Sequence, residues 1–510
     1  MHPILIRIPL PHQPLKIWWG LVGVAVIALL YGALSQRRGD KQGALGAILV
    51  GMAAGVDGWY FRDKTYEAEF VPIYSYGVML GLSLVVGWYL TLALAERDGL
   101  PKETMANCYV FTAIAAIIGS RILYIVTNLE EFKTFSDIFA LRRGGLVAYG
   151  GFLGGYLGSW MYLSRNRIRL MPWADVAVPS LASGLLITRM GCYMFGCDFG
   201  TPLSKDAPHW LQKLGTFPHW AGGTLDSGEG SPAYVRHLVT HHDRAVALNS
   251  SLPVHPTQIY ESLVGLLLLV LLLWQRKNQK FRGQIFFLFA FGYGVARFLL
   301  EIIRDDEERG NYGPVMAQHV LIPGALFLMA LAFVFGIALG IENQRVRTGA
   351  RVVALLTPLA AFLYLKPASF GETTTTQLST SQWIGLATAL LVSYFYARFW
   401  EEARKNPKAA MSLGLPEAKA KEAAREEEDE EEDLDEEEEQ VAEEAKEPAA
   451  EDAPKAKREK KLVGKKKAAD TDTKPEKAAA EKKPEKKTEK KEEPKADEPE
   501  VPAGAEPEKT

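Results

Sequence analysis

The sequence predicts an all-α polytopic integral membrane protein of about 9–11 transmembrane helices with a disordered, charged C-terminal tail. Three observations lead there. Apolar runs of bilayer-spanning length recur from residue 17 to residue 399, the connections between them alternate between basic and non-basic, and beyond about residue 400 the apolar runs stop. The mean hydropathy of -0.03 averages two unlike parts and describes neither.

The runs fall near 17–35, 72–95, 105–127, 145–163, 172–196, 257–275, 284–303, 316–341 and 383–399. Two more, 43–60 and 352–366, are shorter or richer in Gly and Ala. If all cross, alternate connections hold Arg37, Arg38 and Lys41; Arg97 and Lys102; Arg165, Arg167 and Arg169; Arg276, Lys277, Lys280 and Arg282; Arg345, Arg347 and Arg351; and Arg404 with Lys405. The positive-inside rule makes these cytoplasmic, with the N-terminus outside and the tail inside. Arg37 and Arg38, directly after the first run, suit a retained anchor better than a cleaved signal peptide. The tail contains EEEDEEEDLDEEEE (426–439) and KAKREKKLVGKKK (455–467), which cannot bury enough apolar surface to offset chain entropy. Disorder is therefore expected from Pro407 onward. Nothing in the chain suggests nucleic-acid readout, and a solvated tail is the default for such charge blocks.

Polar residues inside the apolar runs carry the functional signal. In GYGVARFLLEIIRDD (292–306), Tyr293, Arg297 and Glu301 recur every four residues and share one helix face. By the predicted topology they sit toward the outer leaflet. So do Arg189 in LLITRMGCYMFGCDFG, Arg121 in IIGSRILYIVTN, Tyr149 in RRGGLVAYGGFLGGY, Tyr76 in IYSYGVMLG, and the block from His255 to Glu261, HPTQIYE. Charges at such depth cost about 3 kcal/mol each and face a protein interior or a wet cavity. Glu301 could simply neutralise Arg297 or Arg304. Three arginines to one nearby glutamate leave a positive surplus, however, which a phospholipid phosphate would satisfy through paired guanidinium hydrogen bonds. The glycines of GGLVAYGGFLGG (144–155) allow close approach either of another helix or of a lipid headgroup.

Four blocks in order, IYSYGVMLGL, GGLVAYGGFLGG, TRMGCYMFGCDFGTP with HPTQIYES after it, and FGYGVARFLLEIIR, resemble the prolipoprotein diacylglyceryl transferases of bacterial membranes over about residues 70–340. The resemblance implies transfer of the diacylglyceryl group of phosphatidylglycerol to the lipobox cysteine thiol in a prolipoprotein signal peptide, forming a thioether and releasing glycerol phosphate. It implies the inner membrane as the site of action, with the active site toward the outer leaflet. Arg189 is similar to the family's essential arginine, and Arg297 with Glu301 to its second arginine and partner acid. Tyr76 and Tyr293 match family tyrosines, and Gly200 the glycine closing the arginine motif. Arg121 and Gln258 are expected in the same phosphatidylglycerol site. The chain departs from the pattern at Tyr149, where many members carry histidine, and at Cys192, where they carry asparagine; Cys197 and Asp198 replace an expected acid.

On this reading Arg189 and Arg297 stabilise charge as the carbon–oxygen bond breaks. Glu301, His255 or an ionised Tyr149 accepts the thiol proton, and no metal or organic cofactor is needed. Cys192 and Cys197, in an oxidising compartment, are open to a disulfide or to free packing thiols. The histidines of the outer loop, His209, His219, His237, His241 and His242, need no metal to be stable. Trp210 and Trp220 there are expected at the membrane surface or against the precursor peptide. The predicted organisation is an extension with one or two transmembrane helices (1–68), a core (69–342) with an outer loop (201–252), additional helices (343–400) serving as accessory anchors, and a disordered cytoplasmic tail (401–510). The competing class is a transport-type or non-catalytic membrane protein that binds anionic phospholipid, whose site would lie near the membrane midplane.

Overall fold

Apolar runs in the chain become long helices because, in a bilayer, every backbone amide must be satisfied within its own segment. A computed structural model describes residues 4–9, 15–37, 65–66, 70–132, 145–219, 230–305, 310–366 and 374–416, with scattered positions between 47 and 57. Its long helices are α1 (Ile17–Arg37), α2 (Ser75–Arg97), α3 (Lys102–Thr127), α4 (Ala148–Arg165) and α5 (Leu170–Phe195). The short α6 (His209–Leu214), α7 (Pro232–Thr240) and α8 (His242–Leu248) follow. Then come α9 (Thr257–Arg276), α10 (Gln284–Ile303), α11 (Gln318–Phe335), α12 (Gln344–Leu365), α13 (Thr380–Lys405) and the single turn α14 (Pro407–Met411). Among the described residues, 8 helices are long and apolar enough to cross a membrane; α4 and α13 are more polar. The chain is thus an all-α polytopic membrane protein.

The glycine block is explained by helix packing. A Cβ on Gly150 or on Gly119 would lie 2.4 Å from the other's carbonyl oxygen, and one on Gly154 would lie 2.4 Å from the Ala115 carbonyl, so the backbones of α3 and α4 touch. The lipid-headgroup reading of those glycines gives way to this contact. Gly144 lies outside the described residues.

The two ends of the bundle differ in chemistry. At one end Asp98 meets Arg276 at 2.7 Å and also Arg282. There Asp175, fully buried near the start of α5, accepts from the backbone amides of Gly283 (2.6 Å), Ile285 (2.9 Å) and Phe286 (3.1 Å). Asp175 thereby caps α10 from another helix and fixes its position along the bundle. A cavity of about 600 Å³ also opens at this end, between Trp160, Arg169, Phe399 and Asn406.

The opposite end carries small strands. Strand β1 (Ile4–Pro9) pairs antiparallel with β4 (Phe70–Tyr74), just before α2; β2 (Leu15–Lys16) and β3 (Thr65–Tyr66) form a further short pair. β5 (Asn311–Ala317) pairs with β6 (Thr375–Ser379), leading into α11 and α13. The connection between α5 and α9 folds around a small core of Phe199, Phe217, Ala233 and Val254. His237 is buried beside it and accepts from the Leu252 amide at 3.0 Å.

Two boundaries are corrected. The run expected at 352–366 begins at Gln344, because Asn343 accepts from the amides of Arg345 and Val346 and the arginines of the first turns extend the helix ahead of the apolar stretch. Disorder does not begin at residue 401 or at Pro407: α13 runs to Lys405, α14 follows under an Asn406 cap, and Leu413 and Leu415 pack against the core. The stretch PKAAMSLGLP (407–416) is too short, and too broken by Pro, Ser and Gly, to show a helical or strand period in the sequence. Residues 417–510, the rest of the expected tail, and Trp220 lie outside the described residues.

Candidate active site

α5 carries Arg189 about two turns before its C-cap, Gly196, whose φ of 88° suits glycine and ends the helix. The chain then turns through Cys197–Gly200 under a clamp from the block that opens α9. Gln258 donates to the Cys197 carbonyl and Thr257 to the Asp198 carbonyl. The Gly200 amide donates to the His255 carbonyl at 3.0 Å, and the Thr201 amide to the Ile303 carbonyl at 2.8 Å. A Cβ on Gly200 would lie 2.7 Å from the Ile303 oxygen and 2.8 Å from the His255 Cβ, so only glycine lets the α5, α9 and α10 ends meet.

Within this junction the charges alternate. Arg304 Nη2 lies 2.5 Å from Asp198 Oδ1, and Arg189 Nη1 lies 2.8 Å from Asp198 Oδ2. Arg189 Nε reaches Glu261 Oε2 at 2.9 Å, which is also 3.9 Å from Arg297 Nη1. Arg297 Nη2 pairs with Glu301 at 2.9 Å, one helical turn along α10. Arg304, Asp198, Arg189, Glu261, Arg297 and Glu301 thus form one chain of opposite charges, with Glu261 and Glu301 both buried.

The expected surplus of three arginines over one glutamate is corrected by this geometry. Asp198 and Glu261 join Glu301, so three carboxylates face three guanidiniums. Anion-binding capacity remains, because Arg297 Nη1 is buried with no hydrogen-bond partner among the described residues, a donor that costs free energy until something accepts from it. Glu261 Oε1 is likewise buried without one.

Residues 65–337, which span this site, match the family described as prolipoprotein diacylglyceryl transferase. The chain belongs to that family. It is 26% identical over 277 residues to the phosphatidylglycerol--prolipoprotein diacylglyceryl transferase of Clostridium tetani, covering 54% of this chain and 97% of the relative. It is 29% identical over 265 residues to transferase 2 of Clostridium perfringens, covering 50% and 90%, and 26% identical over 275 residues to the Bacillus cereus transferase, covering 54% and 92%. The match takes in the whole charge chain.

The remaining expected residues fall into distinct settings. Tyr293 stacks on Phe289 with ring centroids 5.8 Å apart and lies within electrostatic range of Arg189, Glu261 and Arg297. Tyr76, beside Gly191, is within range of Arg189 and Asp198. The Tyr149 hydroxyl donates to Ser381 Oγ at 2.9 Å. Gln258 is fully buried and holds the Cys197 turn. His255 is joined to the site through its backbone, while its ring nitrogen Nδ1 lies 3.4 Å from the Tyr260 hydroxyl. Arg121 donates to the Gly145 carbonyl at 3.1 Å and lies against the Tyr124 and Phe132 rings, securing the loop before α4.

Electrostatics outside the spans follow from these contacts. Burial pushes the Asp198 carboxyl up, but Arg189 and Arg304 outweigh it and hold it below the usual carboxylate range. Burial lowers His255, keeping its ring neutral near pH 7. The hydrogen bond with Cys192, with burial, raises Cys197 well above an ordinary thiol. Both cysteines are free. Cys192, Cys197 and Asp198 each bring a ligand atom within 4.8 Å of the others, yet both Asp198 oxygens already accept from guanidiniums, whose positive charge disfavours a cation there.

Sequence reading missed Glu261 as a site residue, although it stands in the quoted HPTQIYE block, one turn after Thr257 and Gln258 on a helix start where its depth could have been counted. It missed Ser381 entirely, since TTTTQLSTS (373–381) carries no charge or aromatic and reads only as a polar loop.

Proposed function

We propose that the chain transfers the diacylglyceryl group of phosphatidylglycerol to the lipobox cysteine of prolipoproteins. The alternating charge chain, with the Arg297 Nη1 donor buried and unused inside it, is the observation that carries this reading. In the reaction the cysteine sulfur bonds to the glycerol carbon bearing the phosphate. The carbon–oxygen bond breaks with its electron pair going to the phosphate oxygen, and glycerol phosphate leaves. The thiol proton goes to a carboxylate of the charge chain. Arg297 and Arg189 hold the phosphate and stabilise the charge that grows on it, in a setting of low dielectric where fixed donors act strongly. Because the nucleophile arrives with the peptide, the enzyme requires only help in forming a thiolate from a group of ordinary pKa ~8.5.

The site is assigned to the outer leaflet of the bacterial inner membrane and the C-terminal tail to the cytoplasm. Arg276 and Arg282 gather with Asp98 at the basic end, and the charge chain occupies the other, with Glu261 in the first turns of α9 and Glu301 in the last turn of α10. A carrier's site would lie nearer mid-helix. The test is transfer of labelled diacylglycerol from phosphatidylglycerol to a lipobox peptide by the purified full chain in detergent. Product from wild type and none from Arg297→Ala is expected; equal product from both would overturn the reading.

A further inference from the structure

α13 begins at Thr380, 43 residues beyond residue 337 where the family match ends, and belongs to the segment the sequence suggested was an accessory anchor. Its first turn is held in three ways. Ser379 Oγ accepts from the Gln382 amide at 3.2 Å while Gln382 Oε1 accepts from the Ser379 amide at 2.9 Å, a complete capping box. The Thr380 amide donates to the Gly310 carbonyl at 2.8 Å, and β6 pairs with β5 just before the helix.

One turn further on, α13 touches α10 through backbone. A Cβ on Gly385 would lie 2.8 Å from the Gly294 carbonyl oxygen, and one on Gly294 would lie 3.1 Å from that of Gly385. Gly294 is about one turn before Arg297, and Gly385 about one turn after Ser381, so in this crossing Ser381 reaches the arginine. Ser381 Oγ accepts from Tyr149 at 2.9 Å and from Arg297 Nη2 at 3.4 Å. With two donors on its oxygen, the serine hydroxyl keeps its own proton for an acceptor. A cavity of about 150 Å³ beside Glu301 is walled partly by Thr376, Gln377, Leu378 and Gln382 of the same segment.

We propose that the segment Thr375–Gly385 completes the active site, with Ser381 a positioning residue that holds Tyr149 and Arg297 toward the phosphate of an anionic phospholipid. Tyr149 then serves as a hydrogen-bond donor within this arrangement and not as the base. The proposal rests on the transferase reading, and its test is chosen to separate the two.

The full chain is compared with Ser381→Ala, Ser381→Thr, Tyr149→Phe and the Ser381→Ala/Tyr149→Phe double variant. Two quantities are read: the kinetic constants for phosphatidylglycerol, and the thermal shift that phosphatidylglycerol produces in detergent without peptide. Loss of one hydrogen bond to a charged group predicts a roughly tenfold fall in kcat/KM for Ser381→Ala. Its melting temperature without lipid should match wild type and its lipid-induced shift should shrink. Ser381→Thr, which keeps the hydroxyl, should recover to within about threefold of wild type, and the double variant should be no slower than Ser381→Ala alone. Should Ser381→Ala fail to fold, Tyr149→Phe removes the Tyr149–Ser381 bond while leaving that of Arg297, and is expected to show a smaller fall, roughly three- to fivefold, with a reduced lipid-induced shift. Wild-type kinetics and a wild-type lipid shift in Ser381→Ala, or additive losses in the double variant, would overturn the proposal. If wild type makes no product, the transferase reading fails, while the lipid shift still decides whether Ser381 positions a phospholipid site.

Discussion

Replacing Glu261 by Gln tests the charge chain at its middle link. Glu261 Oε2 sits 2.9 Å from Arg189 Nε and 3.9 Å from Arg297 Nη1, with the carboxylate buried. At an effective dielectric near 20, unit charges about 4 Å apart interact by about 4 kcal/mol. Part of that is offset because a neutral amide costs less to bury than a carboxylate, and Gln keeps one acceptor oxygen for Arg189. A net loss of roughly 2–3 kcal/mol is expected, equivalent to about 30- to 150-fold in kcat/KM. The fall should appear mainly in kcat, since removing a negative charge leaves the arginines at least as attractive to a lipid phosphate but no longer held in position. Initial rates of labelled transfer over a range of phosphatidylglycerol concentrations, with a thermal melt to check folding, measure this. A folded Glu261→Gln with kcat within about threefold of wild type would refute the claim that Glu261 couples the two arginines.

The packing around the site makes three further outcomes measurable. Asp175→Ala leaves three amides of the α10 start, two of them buried, without their acceptor and should destabilise the protein by about 3–5 kcal/mol, seen as a lowered melting temperature in detergent, with Asp175→Asn intermediate. Gly200→Ala places a methyl 2.7 Å from the Ile303 oxygen and should cut activity at least roughly tenfold while leaving the bundle folded, read by transfer rate beside a melt. Burial, with His241 nearby, pushes His237 down to about 4 from an ordinary 6.5. The unfolded chain therefore takes up that proton first, so the stabilisation is complete above about pH 6.5 and is lost as pH falls toward 4, by up to ~3 kcal/mol. Protection of the Leu252 amide from hydrogen exchange, followed against pH, checks it; protection that does not weaken over that window would contradict it.

Much of this was legible from local pattern, and the remainder was not for identifiable reasons. The i, i+4 spacing of Arg297 and Glu301 survives directly as an ion pair because helix geometry alone brings them together. Arg189 could be placed at the same depth by counting along its run. Which acid it meets depends on the rotation of α9 against α5, set by Gly265 and by the Ser262 hydroxyl donating to the Leu186 carbonyl, and sequence spacing holds no information on that. Asp198 was visible only as a departure from the family pattern, whereas in the structure it ties Arg189 to Arg304. The glycine block was open between a lipid and a helix, and only the closeness of α3 and α4 decides it. Ser381 is the extreme case: its contact with Tyr149 spans 232 residues, and no local signal marks a serine in a polar stretch as part of a charged site.

The most direct test of the central claim is mass spectrometry of the peptide product together with the released headgroup. Wild-type chain, phosphatidylglycerol and a lipobox peptide should give a diacylglyceryl thioether on the cysteine and one glycerol phosphate per peptide modified, with neither formed by Arg297→Ala or from a peptide whose cysteine is replaced by serine. Folded wild-type protein that binds phosphatidylglycerol and yields neither product would contradict the account.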